Sequence, residues 1–267
     1  MINISIVLYK HKWTQIESLV KVLLSVKGLN SLYLIDNSPA PSEEFKQEGT
    51  IYIFTGSNRG YGAGHNIAMH KTLRTGIPYH LVINPDVELE ASVVEKLLLY
   101  MEKHPAIGHI MPKVVFPDGS LQYLCKLLPT PSDLLMRRFL PDSLTRKRML
   151  RFEMRKTGYS KVMEVPYLSG CFMLFRTEVL KEVGLFDERF FMYPEDIDLT
   201  RRIHRRYKTI FYPEVSVVHH HEQSSYSSKK MLMVHLVNMI HYFNKWGWWF
   251  DPERSRINKR IIQINQL

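Results

Sequence analysis

The sequence predicts an α/β domain built on a mostly parallel sheet flanked by helices, followed by a helical, basic C-terminal extension. Three observations carry that expectation. Four short apolar runs, "ISIVLY", "LYLID", "IYIF" and "HLVIN", fall early in the chain and are rich in β-branched and aromatic residues. They mostly lack alternation, as strands buried on both faces do. Helical segments lie between or after them, and strands alternating with helices imply parallel pairing covered on both sides. The third observation is size: 267 residues with 45% hydrophobic side chains suffice for a real core and one large domain, or a domain with a helical appendage.

Each element has a local signal. After the first run, "TQIESLVKVLLSV" opens with Thr14 and Glu17 at capping-box spacing and is followed by Gly28. "GHNIAMHKTLRTG" closes on Gly76, and "SVVEKLLLYMEKH" repeats the box spacing with Ser92 and Glu95. In open sheets of this kind, ligands bind beyond the carboxyl ends of the strands. Three of the four runs end there in polar clusters: Lys10 and His11, Asp36-Asn37-Ser38, and Asn84-Pro85-Asp86. From about residue 105 the pattern loosens. "MPKVVFPDGSLQYL" reads as a hairpin turning at Asp118-Gly119. A basic segment, an apolar run, the acidic knot "YPEDIDL", another strand, "TIFYPEVSVVHHH", and the Trp-bearing end "FNKWGWWFDPERSRINKR" follow.

Composition narrows the classes. Cys125 and Cys171 are too few for a disulfide framework and form no CxxC pair, so they read as core or bystander residues in a reducing compartment. The opening apolar run meets "KHK" too soon for a secretory core, and no apolar stretch approaches the ~18 residues of a membrane span. A cytoplasmic protein is expected. The net charge is +10, and residues 137–161 carry nine Lys or Arg against Asp142 and Glu153. Such a cluster suits phosphates, anionic lipid or nucleic acid, or else a plain solvated helix face. No nucleic-acid recognition module is present, so no nucleic-acid partner is expected.

Several constellations could carry chemistry. In "NRGYGAGHN", Gly60, Gly62 and Gly64 let backbone approach a ligand at a helix start, or simply make a tight turn. Asp36 ends a strand where a carboxylate can meet a base or ribose, although an Asx turn fits equally. Asp86 could ligate Mg²⁺ or Mn²⁺ beside a diphosphate. "MYPEDIDL" gathers Glu195, Asp196 and Asp198 beside apolar residues, where burial raises a carboxylate pKa and suits a general base. The acidic first turn of a helix fits the same three residues. His219, in "VVHHHEQSS", could ligate a divalent ion or belong to a solvated loop.

The pieces "SIVLYKH", "LIDNSP", "NRGYGAGHNIAM", "LVINPDVEL", "YLSGCFMLFRTEVLKEVGLFDERFFMYPEDIDLTRRI" and "FYPEVSVVHHHEQSS" together resemble the family 2 inverting glycosyltransferases, particularly the bacterial rhamnosyltransferase-like branch. They occur in family order up to about residue 225, and the long piece is the specific one. The resemblance implies a GT-A fold: a Rossmann-like nucleotide-sugar-binding half (1–104) merged with an acceptor and catalytic half (105–225), followed by a helical extension (226–267). It implies that Asp36 contacts the donor's base and that Asn58, Gly62 and Asn66 line the donor pocket. Tyr9, Gly60, Asn84, Gly170 and Glu195 complete the substrate-binding set. Asn84-Pro85-Asp86 occupies the place of the family's DxD motif, so Asp86 would hold a divalent metal against the diphosphate. Asn84 replaces the first acid of that motif, and His219 is the expected compensating ligand, with His221 in reserve. Asp196 matches the catalytic base.

The implied reaction moves a sugar, best matched by L-rhamnose from dTDP-rhamnose, to a glycan or lipid-diphosphate-linked acceptor in bacterial surface polysaccharide synthesis. A lipid-linked acceptor would account for the basic segment and the Trp-bearing end through contact with an anionic membrane surface. Two other readings stay open. A sugar nucleotidyltransferase would want a glycine-rich basic loop after the first strand, where "LYKHKWT" has no glycine. A non-catalytic nucleotide-sugar binder has no evident need of both Asp86 and Asp196.

Overall fold

The structure is a computed structural model and describes residues 1–133, 142–220 and 229–267. The four early runs form β1 (Ile2–Leu8), β2 (Leu29–Asp36), β3 (Thr50–Phe54) and β4 (Tyr79–Ile83). β1 pairs in parallel with β2 and β4, and β2 with β3. The crossovers carry α1 (Trp13–Leu24) and α2 (Tyr61–Thr75). β5 (Val87–Glu88), α3 (Ala91–Lys103), β6 (Ile107–Val115) and β7 (Cys125–Lys126) follow. Next come α4 (Asp142–Phe152), β8 (Met163–Glu164), β9 (Tyr167–Leu168), β10 (Phe172–Arg176), α5 (Thr177–Val183), α6 (Glu195–His204) and β11 (Lys208–His219). α7 (Lys229–Trp246) and α8 (Pro252–Ile264) close the chain.

One sheet joins both halves, in the order β3-β2-β1-β4-β10-β6-β11-β5, with β8 also on β11. Its first half is parallel as expected, but the whole is mixed. β10 runs antiparallel to β4 on one side and β6 on the other, and β5 and β8 run antiparallel to β11. Both faces are covered. Ile4, Ile6 and Leu8 pack with Ile16 and Leu23 of α1 and Val94 and Leu97 of α3 in one apolar cluster. Val82, Met173 and Phe175 meet Met69 of α2, Val179 of α5 and Leu199 of α6 in another. Each fully buried aliphatic or aromatic side chain of this kind contributes about 2 kcal/mol. The lack of alternation in the sequence follows directly from this two-sided burial.

Two expectations about helix starts are corrected. α1 begins at Lys12, whose N–H donates to Gln15 Oε1 at 2.8 Å, while Glu17 pairs with Lys21. α3 is capped at Glu90, so Ser92 lies inside it and Glu95 Oε1 accepts from the Lys27 N–H instead. Both shifts have one cause: the backbone enters each helix a residue or two before the Ser or Thr. The hairpin does form. Phe116 N–H donates to Ser120 O at 2.8 Å, Gly119 takes φ +81°, and Val115 bridges Leu121.

The C-terminal helices dock on α6. Arg201, 1% exposed, donates two hydrogen bonds to Asp251 at 2.7 and 2.8 Å, and Asp251 also caps α8 through the Arg254 N–H. Trp246 lies under Arg201, 4.1 Å from ring centroid to guanidinium, and its indole N–H donates to Asp198. Trp246 is therefore a packing residue, not one of the membrane-facing tryptophans that the sequence suggested. Cys125 and Cys171 are free and buried, as expected. Among the described residues, no helix is long and apolar enough to cross a membrane.

Candidate active site

Parallel pairing delivers the ends of β1, β2, β3 and β4 to one rim of the sheet. Tyr9 stands there half exposed, just past β1. Asp36, fully buried at the end of β2, accepts from Tyr52 Oη at 2.8 Å and from the Ser38 N–H at 2.9 Å. The second bond is the Asx turn that the sequence allowed. Asn37 Nδ2 donates to Gly60 O at 3.0 Å, tying this rim to the glycine segment.

The glycines are not an open cradle. An added Cβ on Gly60 (φ +87°) would lie 2.2 Å from Phe191 O, and one on Gly62 would lie 2.8 Å from Phe186 Cβ. One on Gly64 would lie 2.8 Å from Val7. Their close approaches are made to the protein itself, and Gly62 and Gly64 already lie within α2. Asn58 is exposed and accepts from the Gly60 N–H at 3.0 Å, which shapes the turn. Asn66 departs furthest from expectation. Its amide donates to Phe186 O and Glu188 Oε1 and accepts from the Phe186 N–H, so it braces the 186–188 loop instead of facing the rim.

At the end of β4 the Asn-Pro-Asp turn meets His219. β5 pairs antiparallel with β11, opposing His219 to Val87. His219 Nε2 consequently lies 3.3 Å from Asp86 Oδ1 and 3.5 Å from Asn84 Nδ2. Gln122 fixes the ring from behind. Its Nε2 donates to His219 O at 2.6 Å and points to Val115 O at 3.4 Å, which turns Oε1 toward His219 Nδ1 at 2.9 Å. An amide oxygen only accepts, so Nδ1 carries the proton, and a neutral His219 presents the Nε2 lone pair toward Asp86.

Two ligands at right angles about an ion ~2.1 Å away stand about 3 Å apart, so the spacing of Asp86 and His219 fits adjacent ligands of Mg²⁺ or Mn²⁺. Among the described residues no group of three or more His, Cys, Asp and Glu side chains gathers at a point, so those residues offer two such groups here at most. His220 pairs with Glu88 at 2.7 Å, and His221 lies outside the described residues, as do residues 137–141 of the basic segment.

Asp196 begins α6, one residue in. Its Oδ2 accepts from the Gly170 N–H at 2.9 Å and its Oδ1 from the Ile197 N–H at 2.7 Å. Burial pushes its carboxyl up to about 6, opposed by the Lys126 ammonium and these N–H groups. Burial and the neighbouring Asp196 hold Glu195 well above the usual carboxylate range, and Glu195 Oε2 has no hydrogen-bond partner. The helix-start and buried-carboxyl readings of "EDIDL" therefore hold together. Cys171 O, next to Gly170, accepts from the Asn84 N–H at 3.0 Å. The turn into β10 thus touches both acid-bearing segments. Tyr61 Oη donates to Gly170 O at 2.5 Å and completes the wall between them.

Sequence reasoning missed Gln122, Lys126 and Tyr61. Lys126 is 5% exposed, with its ammonium 5.2 Å from the Tyr167 ring. A lysine in a strand otherwise buried was the available signal, since unpaired burial of an ammonium is costly. Gln122 and Tyr61 carried no signal, because their roles depend on partners 97 and 109 residues away.

Residues 115–233 match the family described as "Glycosyltransferase like family 2". The chain is 29% identical over 225 residues to N-acetylglucosaminyl-diphospho-decaprenol L-rhamnosyltransferase of Mycobacterium tuberculosis, covering 80% of this chain and 73% of that one. It is 29% identical to rhamnosyltransferase WbbL of Escherichia coli K12 over 192 residues, 68% of this chain and 69% of that one. Among solved structures, GalNAc-T7 with UDP, GalNAc and Mn²⁺ superposes with a TM-score of 0.59 at 14% identity. That match covers 99% of this chain but only 55% of the other. The fold is that of the GT-A glycosyltransferases. More particularly, residues 115–233 carry the match to the family 2 glycosyltransferases that the motifs implied.

Proposed function

We propose that this enzyme transfers a hexose, best matched by L-rhamnose, from a nucleoside diphosphate donor to a hydroxyl of a lipid-linked glycan, with inversion at the anomeric carbon. The observation that carries the reading is the junction at Gly170 and Cys171, which binds Asp196 through the Gly170 N–H and the Asn84-Pro85-Asp86 turn through the Cys171 carbonyl. An attacking alcohol and a leaving diphosphate need two such centres facing one cleft. The names of both rhamnosyltransferase relatives support the sugar, and the mycobacterial one supports a diphospholipid acceptor.

In this mechanism Asp196 takes the proton from the acceptor hydroxyl as its oxygen attacks C1 of the sugar. The bond from C1 to the diphosphate breaks on the opposite face, so one displacement inverts the centre without a sugar–enzyme intermediate. A carboxyl near pH 6 is ionised at neutral pH yet basic enough to accept that proton. Asp86 and His219 would hold the divalent cation, which when bound offsets the negative charge on the departing diphosphate. Tyr9 and the segment Asp36–Ser38 stand where the nucleoside would rest, with Gly60 and Asn58 shaping the adjoining turn. Such a reaction belongs on the cytoplasmic face of the membrane that carries the acceptor.

The test is a thermal-stability screen of nucleotide sugars with Mn²⁺ or chelator, followed by NMR of the product anomer. Stabilisation by a deoxythymidine diphosphate sugar in Mn²⁺, with an inverted product, is expected. A product of retained configuration would overturn the single displacement. Asp86→Ala should weaken donor binding in Mn²⁺ but not in chelator; equal loss in both would assign Asp86 to structure.

A further inference from the structure

The link between α7 and α8 holds two aromatic side chains out in water on a rigid frame. Gly247 takes φ +99°, and an added Cβ would lie 2.6 Å from Phe250 O, so the loop closes tightly on itself. Arg254, 4% exposed, brings its guanidinium within 3.0–3.5 Å of the carbonyl oxygens of Gly247, Trp248 and Trp249. Asp251, which ends the loop, is held by Arg201. Trp248 leans on Phe243 and donates to Asn244 at 2.8 Å. On this frame Trp249 is 70% and Phe250 93% exposed.

Isolated exposed apolar residues are ordinary, whereas adjacent ones on a fixed scaffold mark a contact surface. The tip is not alone. Met233, Val237 and Ile240 of α7 are 61%, 41% and 45% exposed, at helical spacing that leads to Asn244 and so to Trp248.

We infer that the Trp249–Phe250 tip, continued by the outer stripe of α7, seats the enzyme on an anionic lipid bilayer. The inference deepens the proposed lipid-linked acceptor and rests on that reading. Charge argues for this occupant. Asp251 and Glu253, the acids of the C-terminal region, are both engaged by Arg201, and Glu253 by Arg205 as well. Arg256 and Lys259 of α8, which follows the tip directly in the chain, are exposed, so the exposed charge that α8 adds there is basic. Trp and Phe beside bases suit the headgroup level of such a leaflet.

The experiment compares the wild type with Trp249→Ser/Phe250→Ser by co-sedimentation with phosphatidylglycerol–phosphatidylcholine vesicles at low salt. Affinity should fall at least tenfold in the double variant, while Tm and the donor-induced rise in Tm stay unchanged. Brominated lipid should quench wild-type tryptophan fluorescence more than that of Trp249→Phe. Equal vesicle binding by wild type and variant would overturn the inference, as would a wild type that ignores these vesicles while still being stabilised by donor. A wild-type dimer that the double variant loses would assign the tip to a second copy instead. Absence of donor stabilisation with vesicle binding intact would remove the glycosyl-transfer reading and leave the lipid contact standing.

Discussion

Asp196 and Gly170 meet at 2.9 Å, carboxylate oxygen to backbone N–H, and the carbonyl of the next residue, Cys171, accepts from the Asn84 N–H at 3.0 Å. The proposed base is thereby tied by main-chain geometry to the turn that carries Asp86. Neither contact depends on a flexible side chain of the intervening residues, so the two centres keep a fixed relation.

Asp196→Asn should abolish transfer while leaving donor binding intact. General-base removal costs roughly 10²–10⁴ in rate. Single-turnover assays beside donor-induced stabilisation separate the two quantities; retained turnover would remove Asp196 from the proton transfer.

The pH dependence follows from the raised carboxyls. Activity should climb as pH rises through about 6, where Asp196 ionises. Stability runs the other way: a carboxyl raised in the folded state binds its proton more tightly there than when unfolded. Its contribution is therefore full below the ordinary value of 3.8 and is lost as pH rises through about 6. Glu195, held neutral by burial, can become Gln with little change in charge. A pH–rate profile of Glu195→Gln should keep its acid limb within about half a unit of wild type, since one unit corresponds to 1.36 kcal/mol of altered interaction. A larger fall would mean that Glu195 is ionised.

Gln122→Leu should weaken Mn²⁺ binding about 10- to 100-fold, the usual scale for partners behind a metal-bound histidine. The cause would be loss of the acceptor that keeps the His219 proton on Nδ1. Titration of Mn²⁺ by electron paramagnetic resonance reads this directly. Gln122→Glu retains an acceptor at that point and should recover part of the affinity; a Leu variant with unchanged Mn²⁺ affinity would sever Gln122 from the site.

Gly60→Ala tests whether the glycine segment exists for packing. Its methyl group would meet Phe191 O at 2.2 Å in a left-handed backbone. A loss of stability on the order of 2 kcal/mol or more is expected. A variant of full stability that has lost donor affinity would restore the ligand-cradle reading.

What the sequence disclosed follows the range of the interactions. The first four strands were legible because two-sided burial removes alternation, and their polar ends were legible because parallel pairing puts them on one rim. Asp86, Asp196 and His219 entered as candidates through the resemblance to the family's motifs. Asn66 was misjudged because its partner, the Phe186 backbone, is 120 residues away. The capping boxes were misplaced because a cap depends on where the backbone turns, and spacing alone left Glu17 and Glu95 equally plausible. Gln122 was invisible because a glutamine in a strand-like stretch acquires meaning only once β11 has brought His219 over it.

β10 sits between β4 and β6 as an antiparallel stave. Because that stave is hydrogen-bonded on both sides, main-chain bonds weld the early parallel strands and the later strands β6 and β11 into one continuous surface.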